Sequence, residues 1–496
     1  MPDRPRYTVA RYIVDRLIEL RVRHIFQVPG NYTAQFLIEA QNSGKLECVG
    51  TTNEQEAGYA ADAYARLHGL GVVCTTYGVG SLSAMNAIAG ARVELCPVVL
   101  INGGPKQSKT ANLENHGIKF AHAIDTIRTD EKFFREISAA TAVITDPEDA
   151  PDQIDRVLRA CLTQRMPVYL ESRDGVWDMP CRKPAGPLPE KPRQPVPPAA
   201  GTEAVVKESV AAAVAAVLTR LQAAKHPVLW GGEELQRLGL EARFEEIIKL
   251  TGLKYSTTLM GKSLVPETAP GDPTRRRDEF IGVYDSAFAP GDVAEVLEKS
   301  DCVLALGTIL SDFYEKIVVN THSTGSMVLA AAGAVRVGHA IYPNVPLDLF
   351  VAGLIDGLKK KGRAGDHTPP EGFDKLSPSR FAASGAESLA ASAPPAAGMS
   401  WADAFGRIQK HVDAKAYVLA DTSLTLFPAA ELVIPSRNHF LAQTCWLSIG
   451  YTVGAAVGLS TLMKKDERAL VLVGDGGFQM GPQGLATLAR LKKPVT

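Results

Sequence analysis

The most constraining feature of this 496-residue chain is the apolar run Ala469–Val473, which leads directly into Gly474-Asp-Gly-Gly477. A short, uninterrupted run of branched residues predicts a strand buried on both faces, as in a parallel sheet covered by helices. An aspartate flanked by glycines at the end of such a strand lies where α/β sheets bind ligands. Glycine lets the backbone approach a phosphate, and the carboxylate can bind a hard cation that the phosphate shares. For this motif alone, an ordinary turn between a strand and a helix remains the alternative.

The charge balance and the cysteine pattern exclude several classes of protein. There are 53 Lys and Arg residues against 54 Asp and Glu, a formal net charge of −1, with no long run of either sign. This balance argues against a nucleic acid or a membrane surface as partner. The N-terminus lacks the apolar core of a signal peptide, and no apolar run is long enough to span a bilayer. The seven cysteines form no Cys-x-x-Cys pair, which indicates reduced thiols, so we expect a soluble cytoplasmic protein.

Two segments predict linkers: the proline-rich stretch 180–198 and the Ala/Ser/Pro-rich stretch 382–398. They divide the chain into three expected domains, residues 1–182, 200–365 and 399–496. Strands are predicted at His24–Val28, Gly71–Thr75, Pro97–Ile101, Pro167–Leu170, Pro227–Trp230, Asp301–Leu306, Tyr417–Ala420 and Ala469–Val473. Helices are predicted at Glu56–Arg66, Ser83–Ala91 and Val205–Ala224. Alternating strands and helices predict an α/β protein of three doubly wound parallel-sheet domains.

Three segments place polar groups where predicted strands end. They are the turn Val28–Tyr32, the stretch Asn53–Arg66 and the turn Thr75–Gly80. Because ligands bind at the carboxyl ends of parallel strands, these segments predict one site. Gly78-Val-Gly80 lacks the third glycine of a dinucleotide-binding fingerprint, so we do not expect a dinucleotide there.

Two further segments, Gln443–Gly450 and Gly474–Met480, follow in the same order along the chain. Taken together, these segments resemble the thiamine diphosphate-dependent 2-oxo acid decarboxylases, the pyruvate and indolepyruvate/phenylpyruvate decarboxylase group. The central stretches Pro227–Gly232, Phe280–Tyr284 and Leu306–Asp312 are similar as well. The resemblance covers nearly the whole chain. It implies a pyrimidine-binding domain, a central domain and a diphosphate-binding domain in this order, with thiamine diphosphate and Mg²⁺ as cofactors and a small 2-oxo acid as substrate.

The resemblance also assigns roles to individual residues. Glu54 matches the glutamate that hydrogen-bonds the aminopyrimidine ring and activates the cofactor; an ordinary acid in a helix's first turn is the alternative. Glu56, two residues on, is the rival carboxylate and is expected to face elsewhere. Ile449 matches the residue that bends the cofactor, and Asp475 matches a ligand of Mg²⁺. The expected cofactor-binding residues are Pro29, Gly30, Glu54, Val79, Thr422, Ser423, Leu447, Ser448, Ile449, Asp475, Gly476 and Gly477.

The chain departs from the family's pattern at its proton-transfer residues. Asn31 stands where the decarboxylases carry an aspartate, and Ala121-His122 stands where they carry two histidines. An asparagine can hydrogen-bond but cannot donate a proton as an acid. We therefore take His122 and Asn31, with Glu54, as the candidate catalytic residues; His116 is the alternative histidine.

Other departures lie in the last expected domain. Ser423 and Leu424 replace a glycine and a hydroxyl residue, Leu447 replaces a glycine, and Gly484 replaces a glutamate. The metal motif of the family continues to an Asn-Asn pair and a catalytic glutamate beyond the position of Thr496. We therefore expect a fragment or truncated product with an incomplete third domain.

Three functions remain open from the sequence. The first is decarboxylation of a branched or aromatic 2-oxo acid to an aldehyde and CO₂. The second is a carboligase on the same fold, which would form an acyloin because of the weakened proton relay at Asn31 and Ala121. The third is a cofactor-binding homologue without turnover. The resemblance implies active sites between one chain's first domain and another chain's last, hence a homodimer or tetramer.

Overall fold

Strands and helices alternate along the chain as the sequence predicts. A computed structural model describes residues 7–188, 197–285, 289–361, 367 and 399–496. The predicted linker 382–398, and residues 189–196 of the other linker, lie outside the described residues.

The helices in chain order are α1 (Val9–Glu19), α2 (Ala34–Asn42), α3 (Glu54–His68), α4 (Val79–Val93), α5 (Gln107–Asn115), α6 (Thr129–Ile137), α7 (Ala150–Gln164), α8 (Glu203–Ala223), α9 (Glu233–Arg237), α10 (Glu241–Thr251), α11 (Gly291–Lys299), α12 (Glu315–Thr324), α13 (Leu347–Lys361), α14 (Trp401–Gln409), α15 (Leu426–Ala430), α16 (Tyr451–Leu462), α17 (Asp475–Gln479) and α18 (Gly484–Leu491). Short 3₁₀ turns include Asn31–Thr33 and Asp312–Tyr314.

The strands in chain order are β1 (His24–Gln27), β2 (Glu47–Gly50), β3 (Gly71–Thr76), β4 (Val98–Gly104), β5 (Thr141–Ile144), β6 (Val168–Arg173), β7 (Pro227–Gly231), β8 (Tyr255–Thr257), β9 (Thr268–Ala269), β10 (Asp272–Arg276), β11 (Phe280–Val283), β12 (Cys302–Leu306), β13 (Met327–Ala331), β14 (Ala334–Val337), β15 (Ala340–Tyr342), β16 (Ala416–Ala420), β17 (Phe440–Ala442) and β18 (Arg468–Leu472).

These elements form two compact units. The first comprises Met1–Gln194 and Cys445–Thr496, and the second comprises Pro195–Thr444. The expected domain boundaries, 1–182, 200–365 and 399–496, stay a prediction.

The first unit is built on a six-stranded sheet in the order β2-β1-β3-β4-β6-β5, and every pair in it is parallel. Strands β4 and β6 are buried along their whole length because helices cover both faces. The chain runs outward from β1 to β2 and then returns to β3 on the other side of β1. The switch point of this doubly wound sheet is therefore between β1 and β3, where ligands bind in such folds.

Helix α3 is the central helix of the first unit. Its N-cap, Asn53, accepts a hydrogen bond from the Glu56 amide at 2.8 Å, and Gly69 ends it in the left-handed conformation. The helix packs against α4, β3 and α16, so nearly all of it is buried. This packing fixes the start of the helix, and with it Glu54, beside the carboxyl ends of the strands.

The second unit contains a seven-stranded sheet in the order β11-β8-β7-β12-β13-β14-β15. The first five strands are parallel, as predicted, but β13, β14 and β15 pair antiparallel. The antiparallel strands β14 and β15 extend the predicted parallel sheet at one edge. Ala332 and Gly333 both have positive φ, which is typical of the two-residue turn that joins antiparallel strands. In the same unit, β16 and β17 form a parallel pair.

Strand β18 lies where the apolar run Ala469–Val473 predicts it, shifted by one residue. Only Ala469 is fully buried, however, and the rest of the strand is half-buried. Burial on both faces was therefore an overestimate, because within this unit the strand is covered mainly by helix α16. Its backbone also pairs with the last residues of the chain, since the Ala469 amide donates to the Pro494 carbonyl at 3.0 Å and the Val471 amide to the Thr496 carbonyl at 2.8 Å.

Two further features concern the cysteines and the helices. All seven cysteines lie within the described ranges and are free thiols. No helix in the described part of the chain is long and apolar enough to cross a membrane.

Candidate active site

The switch point of the first unit brings together two of the segments singled out from the sequence. Pro29 and Gly30 follow β1, and the turn from Tyr77 to Val79 follows β3. A Cβ on Gly30 would lie 2.6 Å from the Cβ of Thr76, so only glycine lets these two strand ends approach so closely. Asn31 begins the 3₁₀ turn and is exposed. The side chain of Val79 is 59% exposed at the start of α4.

Glu54 stands in the first turn of α3, beside this crevice. A Cβ on Gly80 would lie only 3.1 Å from Oε1 of Glu54, so the missing side chain of Gly80 lets the carboxylate lie close against the backbone. The side chain of Glu54 is half-buried and thus open to a ligand on one side. A half-buried carboxylate with one side open suits a flat polar ring that hydrogen-bonds to it.

Glu56 faces elsewhere, as the two-residue spacing predicts. Its carboxylate is only 6% exposed, and Oε2 accepts hydrogen bonds from the amide of Thr52, at 3.0 Å, and from the Thr52 hydroxyl. Oε1 has no hydrogen-bond partner among the described residues. A Cβ on Gly484 would lie 3.6 Å from Oε1 of Glu56, whereas a Cβ on Gly80 would lie 3.1 Å from Oε1 of Glu54. The carboxylates of Glu54 and Glu56 therefore have separate surroundings.

Tyr77 connects the two segments that carry Asn31 and His122. Its ring makes edge contacts with Tyr32 and His122, at centroid distances of 5.3 Å and 5.6 Å, and its hydroxyl donates to the Ala121 carbonyl. His122 is exposed and has a φ of 69°. The sequence reasoning missed Tyr77, although its position between β3 and Gly78 was a signal that could have found it.

His116, the alternative histidine, is placed differently. It follows α5 and is exposed, and its Nδ1 lies 2.7 Å from the carbonyl oxygen of Asn112. Among the described residues, the aromatic contacts of Tyr77 are with Tyr32 and His122 and not with His116. His122 is therefore the histidine that meets the β3 turn.

A buried polar network fixes the turn at Gly78. Asp130, in the first turn of α6, accepts hydrogen bonds from the Gly78 amide at 2.6 Å and from the Ser81 hydroxyl. Asn102 on β4 links Asp130 to Tyr169, whose hydroxyl bonds Glu171. Burial raises the pKa of Glu171 to about 7, although Arg173 beside it acts in the opposite direction. The sequence offered no sign of this network because its members come from four separate elements.

The segment from Cys445 to Tyr451 carries three more of the predicted cofactor residues. Leu447 has a φ of 57°, a conformation that a branched residue rarely adopts. The hydroxyl of Ser448 lies 2.7 Å from the hydroxyl of Tyr59. Ile449 is 43% exposed. Gly450, with a φ of 84°, begins α16, and a Cβ there would lie 2.6 Å from the Cβ of Met480.

The predicted metal residue, Asp475, begins the short helix α17. It is exposed, and a Cβ on the adjacent Gly476 would meet no atom within 4 Å. A free carboxylate with open space next to it suits a hard cation with oxygen ligands. Gly477 is buried, and its carbonyl oxygen lies 3.0 Å from the Cβ position of Gly450. In the described ranges, no three His, Cys, Asp or Glu side chains come together as a metal site.

Thr422 and Ser423 belong to the second unit, where they follow β16. Thr422 donates its hydroxyl to the Gln443 carbonyl at 3.4 Å, and the hydroxyls of Ser423 and Thr425 lie 2.6 Å apart. Leu424, which stands where a hydroxyl residue was expected, is 72% exposed. Both hydroxyls are therefore engaged locally.

The larger sheet of the second unit has its own switch point, between β7 and β12. There the carboxylate of Glu233 accepts hydrogen bonds from the Ile309 amide, at 2.7 Å, and from the Thr258 hydroxyl, at 2.9 Å. Glu233 is 1% exposed, and burial raises its pKa to about 7. A Cβ on Gly232 would overlap the carbonyl of Gly307. The crevice is thus filled by the chain's own atoms.

Comparison with known proteins gives matches along the whole chain. Residues 7–127 match the N-terminal thiamine pyrophosphate (TPP) binding domain of thiamine pyrophosphate enzymes, residues 214–324 match the central domain of these enzymes, and residues 425–496 match their C-terminal TPP binding domain. The chain is 30% identical over 486 residues to pyruvate decarboxylase 2 of Oryza sativa subsp. japonica, covering 97% of this chain and 75% of that protein.

Two other relatives are similarly close. A pyruvate decarboxylase of Hanseniaspora uvarum is 29% identical, with 97% of this chain and 81% of the relative covered. An alpha-keto-acid decarboxylase of Mycobacterium tuberculosis is 30% identical, with 98% and 80% covered. The three matched domain families and these relatives define the class. The chain belongs to the thiamine pyrophosphate enzymes, in the 2-oxo acid decarboxylase family. The resemblance seen in the sequence is confirmed.

Proposed function

We propose that this chain catalyses the thiamine diphosphate- and Mg²⁺-dependent, non-oxidative decarboxylation of a 2-oxo acid to an aldehyde and CO₂. The observation that carries the proposal is the half-buried carboxylate of Glu54, which lies close against the backbone of Gly80 at the β1/β3 switch point. The relatives' names, pyruvate decarboxylase and alpha-keto-acid decarboxylase, support the same reaction class. Branched or aromatic substrates are proposed from the similarity to the indolepyruvate/phenylpyruvate group.

The residues around the switch point fit the aminopyrimidine end of the cofactor. When bound, thiamine diphosphate supplies a carbon nucleophile and accepts the electrons released as CO₂ leaves. Glu54 would hold a proton on the aminopyrimidine ring from one side, and the half-buried position of its carboxylate limits competition from water. Pro29, Gly30 and Val79 would line the ring, because they lie at the same strand ends.

The turn 447–449 and the Gly474–Gly477 motif would hold the rest of the cofactor. The Leu447 carbonyl would accept a hydrogen bond from the cofactor's amine, and the exposed Ile449 side chain would press against its bend. Asp475 and the backbone at Gly476 and Gly477 would bind Mg²⁺ and the diphosphate, since a hard cation prefers oxygen ligands. Thr422, Ser423 and Ser448 are proposed as cofactor residues from the sequence similarity.

Proton transfer to the substrate would fall to His122. Its ring contacts Tyr77, and its exposure leaves it free to meet a substrate. The imidazole is the side chain best suited to gain and lose a proton near neutral pH. Asn31 would orient the substrate by hydrogen bonds without exchanging a proton.

The second candidate function is carboligation, which the uncharged Asn31 favours. Where proton delivery is slow, a second carbonyl compound has time to accept the carbon nucleophile, and the product is an acyloin. A cofactor-binding homologue without turnover is the third candidate.

We propose a homodimer or tetramer in the cytoplasm, with no nucleic-acid or membrane partner.

Product analysis tests these candidates. The protein is incubated with thiamine diphosphate, Mg²⁺, a panel of 2-oxo acids that includes pyruvate and phenylpyruvate, and one aldehyde acceptor. Aldehyde and CO₂ in equal amounts are expected. Acyloin in place of free aldehyde would establish the carboligase, and cofactor binding without any product would establish the homologue without turnover.

A further inference from the structure

The segment Cys445–Tyr451 is fastened at its start to a buried carboxylate. Glu94, just beyond the end of α4, accepts hydrogen bonds at Oε1 from the amides of Cys445, at 2.7 Å, and of Trp446, at 3.2 Å. Glu94 is completely buried. Hydrogen bonds from amides to a buried carboxylate are stronger than neutral ones and fix the direction of the backbone.

The end of the same segment is fastened to the same charge cluster. Arg66 pairs with Glu94 at 2.7 Å and with Asp62 at 2.6 Å, and Asp62 accepts the hydroxyl of Tyr451 at 2.7 Å. The guanidinium also lies over the Tyr451 ring, 5.3 Å from its centroid. The three charged side chains are at most 3% exposed. One guanidinium thus holds both ends of the segment through its two carboxylates.

The middle of the segment is held by the exposed amide of Asn86 on α4. Its Oδ1 accepts the indole N–H of Trp446 at 2.9 Å, and its Nδ2 donates to the Ser448 hydroxyl, also at 2.9 Å. Between these contacts lies Leu447, with its left-handed backbone. A non-glycine residue keeps that conformation only when its surroundings impose it.

We propose that Glu94, with Asn86, is a positioning residue that sets the Leu447–Ile449 backbone for the cofactor. The inference rests on the proposed function, which assigns this turn to thiamine diphosphate. Neither side chain touches the reacting atoms in this account. Each acts through the segment that it holds, Glu94 by charge at the start and Asn86 by hydrogen bonds in the middle.

The test compares Glu94→Gln with the wild-type protein. The amide keeps the shape of the side chain but removes the charge that orients the two backbone amides. We expect the dissociation constant of thiamine diphosphate, measured by calorimetry with Mg²⁺, to rise by about tenfold or more. The KM for the 2-oxo acid should change less than twofold. Glu136→Gln, an exposed glutamate on α6, is the matched control and should leave the dissociation constant unchanged.

Asn86→Ala keeps the test decisive if Glu94→Gln does not fold, because Asn86 is exposed and its loss leaves the charge cluster intact. We expect a threefold to tenfold weaker cofactor affinity, in order of magnitude, and a changed near-ultraviolet circular dichroism of Trp446. Asn42→Ala, at the exposed end of α2, is its control.

The outcomes separate this inference from the proposed function. Folded variants that bind thiamine diphosphate as tightly as the wild type would overturn the positioning role, even with a lowered melting temperature. Weakened binding in Asn86→Ala but not in its control would support it. A wild-type protein that binds the cofactor and releases no CO₂ would overturn the function alone, and one that does not bind it would overturn both.

Discussion

The two large sheets of this chain share a doubly wound topology but differ in what fills their switch points. Between β1 and β3 of the first unit, Glu54 is half-buried beside the backbone of Gly80, and Asn31 and Val79 are exposed. Between β7 and β12 of the second unit, the buried carboxylate of Glu233 occupies the crevice and bonds Ile309 and Thr258. The amide and the hydroxyl that a phosphate would need are thus already engaged.

The comparison shows that a sheet edge becomes a site only through its side chains. The carboxylate of Glu54 is half-buried and open to a ligand on one side. The other lies at the equivalent edge, satisfied by the protein itself, and stabilises the connection between strands. The same residue type therefore serves binding in one unit and structure in the other, and substitutions at the two edges should give opposite results.

The largest expected effect follows from Glu54→Gln. The amide cannot hold the proton that the proposed chemistry needs, so we expect the rate of CO₂ release to fall by roughly 10²–10⁴. A coupled assay of aldehyde formation measures it. Glu56→Gln, two residues away, is the matched control and should lose far less. If the rate of Glu54→Gln lay within threefold of the wild type, Glu54 would have no catalytic role to distinguish it from the structural Glu233.

Glu233 should control stability rather than activity. Its pKa is raised by burial from 4.5 to about 7, so the folded protein binds a proton that the unfolded chain has lost between these values. Stability should therefore fall as pH rises from about 4.5 to 7, by roughly 3 kcal/mol from this group. In Glu233→Gln this contribution is absent, and urea unfolding at several pH values measures the change in slope. An equal slope in both proteins would contradict the assignment.

Alanine substitutions of Gly80 and Gly232 should have different effects at the two switch points. In Gly80→Ala the new methyl group would lie 3.1 Å from Oε1 of Glu54 and displace the carboxylate, so we expect roughly tenfold weaker binding of thiamine diphosphate. In Gly232→Ala the methyl group overlaps the Gly307 backbone, so we expect a loss of about 1–3 kcal/mol in stability with unchanged cofactor affinity in the folded protein. Calorimetry measures the affinity for thiamine diphosphate, and thermal unfolding measures the stability. The reverse pattern would show that the crevices have been assigned the wrong way round.

The smallest effect is expected for Tyr77→Phe. The ring contacts with Tyr32 and His122 remain, and only the hydrogen bond to the Ala121 carbonyl is lost. A single such bond contributes about 1 kcal/mol, so kcat should fall about fivefold through misplacement of His122. Steady-state kinetics measures it, with Tyr417→Phe in the second unit as control. No change in kcat would mean that Tyr77 does not hold the His122 loop.

The sequence predicted the strands well where they are apolar and uninterrupted. The strand predicted at 71–75 is present as Gly71–Thr76, and the helix predicted at 83–91 lies within Val79–Val93. The four-residue strands β2 and β5 were not predicted, because they are short and contain polar residues. The antiparallel strands β14 and β15 were missed for a different reason, since the turn before β14 uses Ala332 at positive φ.

The candidate site was predictable only where its residues follow strands. Gly30, Val79 and Asp475 could be found because each stands at the start of a helix or turn after a predicted strand, whereas Glu54 follows the unpredicted β2 and was assigned through the family resemblance. The hydrogen bonds that hold the 445–451 segment could not be predicted, since Glu94 and Cys445 are 351 residues apart and only folding brings them together. A buried carboxylate has no local signature that distinguishes it from an exposed one.

Hydrogen–deuterium exchange with and without thiamine diphosphate and Mg²⁺ tests the contrast between the two edges most directly. Added cofactor should slow exchange in residues 28–33, 76–82 and 445–450, and should leave residues 231–236 and 306–310 unchanged. Protection at the β7/β12 edge, or none at the β1/β3 edge, would contradict the account.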